Sequence, residues 1–299
     1  MPLNYKTTAD LKIPKNTIDK IIGQDEATRI IKKAASQRRH VLLIGEPGTG
    51  KSMLGQALAE LLPKEDLTDI LSFDNPSDEN RPSIKAVPRG KGKSYVDQAK
   101  LLTKSASNKT NMIFMALIFL SLISPWWVRR EYGDILAAAT LIGSMIFIAA
   151  FVIFMSLNKR MKSSIRVPKI LIDNTDKKSA PFIEATGSHA GALFGDVLHD
   201  PFQSGGLGTP AYERVIAGMI HKADHGVLFC DEIALLGPKT QQELLTAVQE
   251  KKYPITGQSE RSAGAMVQTE PVPCDFIMIA AGNMETMKKM HPALRSRIR

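Results

Sequence analysis

The sequence predicts an α/β fold, a doubly wound parallel sheet with helices on both faces, interrupted by a two-helix transmembrane hairpin. Three observations predict it. A glycine-rich turn, Gly45-Glu46-Pro47-Gly48-Thr49-Gly50-Lys51-Ser52, joins the apolar run Val41-Leu42-Leu43-Ile44 to a segment with helical apolar spacing. Two more apolar runs, Val227-Leu228-Phe229-Cys230 and Phe276 to Ala281, lead into polar groups, Asp231-Glu232 and Asn283. Between the turn and these runs lie two long stretches without charge.

The glycine-rich turn is a phosphate cradle by its chemistry. A strand delivers the chain to a loop whose glycines take positive φ and put no side chain between backbone N–H groups and a phosphate. The helix that starts there adds its unpaired N–H groups and positive dipole end. Lys51 reaches β and γ phosphates and the Ser52 hydroxyl ligates Mg²⁺ in such a loop. Met53, Leu54, Ala57, Leu58, Leu61 and Leu62 then form one apolar stripe until Pro63 ends it.

With 299 residues, 43% of them hydrophobic, the chain can bury a proper core. A net charge of +9 suggests nucleic acid or an anionic membrane surface, and the position of the charges decides. Cys230 and Cys274 sit in apolar runs far apart, so neither a disulfide framework nor a metal site is expected, and a reduced cytosolic setting is. Met1 to Ile13 holds no apolar stretch and does not read as a secretory signal.

Residues 1 to 40 read as a polar lead-in and a helix with Ile30, Ile31 and Ala34 on one face. Leu67 to Asn75 reads as a short strand, and 76 to 110 as polar and basic. The composition then changes. Met112 to Val128 and Ile135 to Leu157 give about 17 and about 23 charge-free residues, roughly 25 and 34 Å of helix. Only Arg129-Arg130-Glu131-Tyr132-Gly133-Asp134 separates them, with Trp126, Trp127 and Tyr132 placed as an interfacial belt. Lys104 and Lys109 before, and Lys159, Arg160, Lys162 and Arg166 after, put both outer ends in the cytoplasm. Motifs on both sides of the hairpin must meet in one domain, which also requires an even number of spans. The positive charge is then mostly membrane-surface charge, and no nucleic-acid partner is expected.

Val167 to Asn174 resumes as a strand. Thr186 to Gly226 is glycine-rich and carries His189, His199, His221 and His225, whose spacing matches no metal pair, so a loop-rich insertion is expected. Asp231 and Glu232 then stand at the C-terminal end of a buried strand, where open α/β sheets bind ligands. Asp231 holds Mg²⁺, directly or through water, and Glu232 polarises an attacking water in this reading. Lys239 to Glu250 reads as a helix with Leu244, Leu245 and Val248 inward. Asn283 either orients water near the γ-phosphate or is a turn residue after Gly282. Among the trailing arginines, Arg297 and then Arg295 are the candidates for a guanidinium inserted into a neighbour's site, the alternative being a solvated basic helix.

Phosphate loop, Asp-Glu strand, Asn-tipped strand and trailing arginines occur in the order of an AAA+ ATPase, and Ile22-Gly23-Gln24 resembles the segment beside the adenine there. More specifically, the chain resembles the archaeal membrane-anchored Lon proteases. The hairpin, the run His199-Asp200-Pro201-Phe202-Gln203-Ser204-Gly205-Gly206-Leu207-Gly208-Thr209-Pro210 and Pro254-Ile255-Thr256-Gly257-Gln258 carry this resemblance. It implies ATP and Mg²⁺ as cofactors, a homo-oligomer, hexameric in the family, and unfolded or damaged protein substrates threaded to a Ser-Lys dyad. It also implies axial loops that grip substrate, with Phe202 and Met266 as candidates for the tip or for buried anchors.

The expected organisation is 1–110, the first part of the ATPase domain; 111–158, the hairpin; and 159–299, the rest of the core to the arginine region. A lid, a protease domain and the dyad are not expected within these residues, so the chain reads either as a fragment of a longer protein or as a truncated or split product. Function then divides three ways: the motor of a membrane-anchored ATP-dependent protease, a nucleic-acid motor, which the hairpin opposes, or a nucleotide-binding assembly subunit without proteolytic activity.

Overall fold

The computed structural model describes residues 14–161, 166–199, 209–257 and 266–298, with all side chains among them except those of 105–111, 155 and 157–161. The chain divides into two units, Met1–Lys93 with Pro168–Arg299, and Ser94–Val167.

In chain order the first unit contains α1 (Asp25–Gln37), β1 (Val41–Ile44), α2 (Lys51–Leu61), β2 (Thr68–Phe73) and β3 (Ser83–Pro88). Two long helices follow, α3 (Lys91–Tyr132) and α4 (Asp134–Met161). Next come β4 (Lys169–Ile172), β5 (Phe182–Glu184), α5 (Ala190–Phe194), β6 (Asp196–Val197), α6 (Ala211–Arg214), β7 (Val215–Ile216) and α7 (Met219–Lys222). The last part holds β8 (Val227–Cys230), α8 (Pro238–Glu250), β9 (Lys252–Tyr253), β10 (Val272–Pro273), β11 (Ile277–Gly282), α9 (Met284–Lys289) and α10 (Pro292–Arg297).

The central sheet has the order β1-β11-β8-β5, and every neighbouring pair is parallel. Period-two alternation explains why its strands are continuously apolar. Val227 and Phe229 of β8, with Ile277, Ile279 and Ala281 of β11, face a core that Ile31, Ala34, Leu54, Ala57 and Leu58 of α1 and α2 complete. Leu228, Cys230, Met278 and Ala280 face the other way, onto Leu193, Ile220, Leu244, Ala247 and Leu294. Both faces are covered, as the doubly wound reading requires.

Two local readings are corrected. Ile30 is exposed while Ile31 and Ala34 are buried, because α1 turns its Ala34-Ala35 edge to the core. On α2, Leu54, Ala57, Leu58 and Leu62 are buried but Met53 and Leu61 lie at the exposed flanks of the stripe. The predicted strands around Leu67 and Val167 exist as β2 and β4, yet they form a separate antiparallel sheet, β3-β2-β4, with its own core around Ile70, Ile172, Val215 and Ile255. β3 lies within the segment read only as polar and basic.

The second unit is the helical hairpin. Its helices are longer than the charge-free stretches, since Arg129-Arg130-Glu131-Tyr132 continue α3 and the break falls at Gly133, φ 90°. Two 21-residue segments, Met112–Tyr132 and Asp134–Phe154, are long and apolar enough to cross a membrane. Of their most apolar windows 11% and 0% is buried. Phe114 stacks on Phe151 at 5.8 Å and Phe147 on Phe151 at 6.0 Å, while Arg129 Nε pairs with Asp134 Oδ1 at 2.7 Å beside the turn.

Candidate functional site

Parallel pairing brings the ends of β1, β11 and β8 to one edge of the sheet, about 10 Å across at two strand spacings. Ile44 lies opposite Gly282 and Ala280 opposite Cys230, so Gly45, Asn283 and Asp231 all emerge at that edge. The Gly45 N–H donates to the Gly282 carbonyl at 3.1 Å, extending the ladder one residue into the loop.

Within the loop, Gly48 and Gly50 take φ of 83° and 81°, the left-handed region where other side chains are strained. Thr49 Oγ1 donates to the Glu46 carbonyl at 2.8 Å and closes the turn. Lys51 Nζ curls over it, donating to the carbonyls of Gly45 at 3.1 Å and Glu46 at 2.9 Å. The ammonium is therefore held against the loop's own carbonyls. Pro47 and Ser52 are exposed, Pro47 at the loop tip and Ser52 in the first turn of α2. Gln24 Nε2 donates to the Thr49 carbonyl at 2.5 Å, which ties the Ile22-Gly23-Gln24 segment to the loop. Beside it Ile22 is 91% exposed, an apolar side chain with nothing from its own unit to cover it.

The two acids differ in setting. The Asp231 N–H donates to Thr186 Oγ1 at 3.0 Å, and Asp231 Oδ1 accepts from the Glu232 N–H at 3.0 Å. Glu232 is exposed and left-handed, φ 47° and ψ 58°, and starts the 3-10 turn Ile233–Leu235. A non-glycine residue in that region is held there by its surroundings, which is common at functional sites.

Asn283 has a local structural role, at the start of α9 rather than in a turn. It is the N-cap of α9, its Oδ1 accepting from the Thr286 N–H at 2.8 Å and from Thr286 Oγ1 at 3.0 Å. Its amide nitrogen remains as the donor at the sheet edge. Ser52 and Asp231 at this edge supply hard oxygen donors, a hydroxyl and a carboxylate, of the kind Mg²⁺ takes together with phosphate oxygens.

Arg297 is not brought to this edge. Its guanidinium acts on His40, the residue preceding β1 at the opposite edge, and it helps burial hold that imidazole below its usual pKa. Arg295 and Arg297 are both exposed on α10. Among the remaining histidines His221 is a satisfied core residue, with Nδ1 accepting from the Gly218 N–H at 3.2 Å and Nε2 donating to the Tyr253 carbonyl at 3.0 Å. Met266 is 69% exposed, while Phe202 and all of the stretch from Asp200 to Gly208 lie outside the described residues, as does Gln258.

Residues 17–81 match the family described as magnesium chelatase, subunit ChlI, and residues 169–293 match the sigma-54 interaction domain. Curated archaeal Lon proteases align over 99% of the chain: that of Thermococcus kodakarensis at 57% identity and that of Methanothermobacter thermautotrophicus at 54%. The chain belongs to the archaeal Lon family. It corresponds to the N-terminal ATPase portion of archaeal Lon, and spans about half the length of the curated relatives it matches, 46% and 44% of these two. A solved structure of the complex between subunits BchI and BchD of magnesium chelatase is also similar, with TM-score 0.46, 16% identity, and coverage of 96% of this chain and 60% of that one. The parallel sheet of the present chain, covered on both faces, is a doubly wound α/β fold.

Gln241 is a residue that sequence reasoning misses. It occupies an inward position of α8, three residues before Leu244, and is 2% exposed. A polar residue on an apolar stripe is the available signal.

Proposed function

We propose that the chain is the ATPase motor of a membrane-anchored, ATP-dependent serine protease that unfolds and degrades proteins. The observation that carries this reading is the convergence of Gly45 to Ser52, Asp231, Glu232 and Asn283 on one edge of the parallel sheet. In this reading the backbone N–H groups of Gly48 to Lys51 hold the phosphates and Lys51 neutralises them. Ser52 and Asp231 hold Mg²⁺, which when bound offsets charge on the phosphate oxygens. Glu232 accepts hydrogen bonding from the attacking water and Asn283 orients it. Arg297 serves a neighbouring copy, which fits its place at the edge away from its own loop.

The unburied hairpin supports anchoring in the bilayer by two spans, with the ATPase unit on the cytoplasmic side. The name of the relatives, protease, supports protein substrates; a homo-oligomer, with six copies as the family expectation, and proteolysis by residues outside this chain complete the proposal. The test is ATP hydrolysis by the full chain in detergent, with and without a chelator of divalent cations. Turnover that the chelator abolishes, and nucleotide binding weakened about 10- to 100-fold by Lys51→Ala, are expected. Binding without turnover at any protein concentration would favour the assembly-subunit reading.

A further inference from the structure

Gln241 joins two parts of the first unit that have no sequence proximity. Its amide nitrogen donates to the carbonyls of Leu236 at 2.8 Å and Ile233 at 3.4 Å, in the turn that Glu232 begins. Its Oε1 accepts from the His291 N–H at 2.7 Å, and His291 is the N-cap of α10, the helix of Arg295 and Arg297. Both donor hydrogens are used, and the acceptor is engaged. Around this amide, Ile233 and Leu236 of the turn, Leu244 and Ala247 of α8, and Leu294 and Ile298 of the arginine segment share one core.

The arrangement makes a lever. Glu232 is held at a left-handed φ of 47°, a conformation that costs a non-glycine residue free energy and is kept by its surroundings. Any movement of that turn shifts the Leu236 carbonyl and pulls on Gln241, whose other end holds the start of α10. A close-packed core transmits such a shift instead of absorbing it. With six residues α10 is about 9 Å long, and a tilt at its start is carried to Arg297 at its end.

We propose that Gln241 is a positioning residue that ties the Glu232 turn to the arginine helix, so that the state of a subunit's own nucleotide sets the reach of Arg297 into its neighbour. This rests on the proposed function, in which Arg297 acts in trans. An apolar residue would fill the same space with less desolvation, so what the amide adds is its two-sided bonding.

The experiment uses mixed assemblies of the full chain. Glu232→Gln subunits supply an arginine but no water-activating carboxylate, and Arg297→Ala subunits supply a site but no arginine. Each alone is expected to be inactive, and the mixture active. Gln241→Met is then added to one partner at a time. Placed in the Glu232→Gln, arginine-supplying subunit, it is expected to lower the restored turnover about 10- to 100-fold, the effect of a misplaced catalytic group. Placed in the Arg297→Ala subunit, whose own lever ends in alanine and whose Glu232 N–H keeps its bond to Asp231 Oδ1 at 3.0 Å, it is expected to cost at least about fivefold less. Gln241→Glu, which keeps the acceptor for His291 and loses the donors to the turn, is read the same way should the methionine variant fold poorly. Equal losses on both sides, or none, overturn the proposal, because a merely structural amide has no preferred side. A parent mixture that restores nothing instead refutes the trans arginine itself.

Discussion

The Gly282 carbonyl accepts from the Gly45 N–H at 3.1 Å, so the strand that ends in Asn283 and the strand that opens the phosphate loop are fastened at their last residues. On its other side Gly282 meets Thr286: a Cβ there would lie 2.7 Å from Thr286 Cγ2 and 2.8 Å from its Cβ. Thr286 also receives the Asn283 cap, and both contacts therefore fix the amide at the sheet edge.

Gly282→Ala is accordingly expected to push the start of α9 away and to disturb Asn283 and the loop together. Overpacking of this kind costs about 1–3 kcal/mol. Thermal unfolding should show that loss, and ATP turnover per folded chain should fall about tenfold or more while nucleotide binding changes less. Unchanged turnover would separate Asn283 from the chemistry.

His221 gives a pH dependence with a definite sign. Complete burial pushes its pKa from 6.5 down to about 4, against a smaller opposing effect of the Tyr253 carbonyl. The unfolded chain therefore binds a proton between pH 6.5 and pH 4 that the folded chain refuses. Stability from this group is complete above pH 6.5 and declines as the pH falls to about 4, by about 3 kcal/mol in all. Denaturant unfolding across that range should show a steeper acid loss in the parent chain than in His221→Gln. Parallel curves would mean that His221 already titrates freely.

Much of the site is legible in the amino-acid sequence, because the strands bearing it are buried on both faces and therefore read as short continuous apolar runs. β8 and β11 are wholly buried along their lengths, and their polar endings stand out against them. β5 does not, since it is three residues long and follows a polar segment with two Asp and two Lys, residues 173–181. β3 escapes notice as an edge strand with no fully buried position. The placement of Arg297 near His40 depends on how α10 docks on α8, which no local pattern encodes.

The native cysteines are expected to be silent toward thiol reagents in the folded chain. Burial raises both thiols, that of Cys230 to about 12, and both side chains are buried. This allows topology to be read directly in sealed vesicles. A cysteine placed at exposed Tyr132, by the hairpin turn, should react with an impermeant maleimide only from the side opposite the ATPase unit, and one placed at exposed Lys33 only from the ATPase side. Labelling of both from one side would contradict the two-span reading.

The central claim is that Glu232 does chemistry and does not merely hold a turn. The measurement that tests it most directly is ATP binding and hydrolysis by Glu232→Gln beside the parent chain under identical conditions. The amide keeps the size of the side chain but cannot take a proton from water, so hydrolysis should fall about 100-fold or more with ATP affinity within about twofold. Hydrolysis at the parental rate would contradict the account, and the edge formed by β1, β11 and β8 would then be a nucleotide-binding surface without a catalytic carboxylate at Glu232.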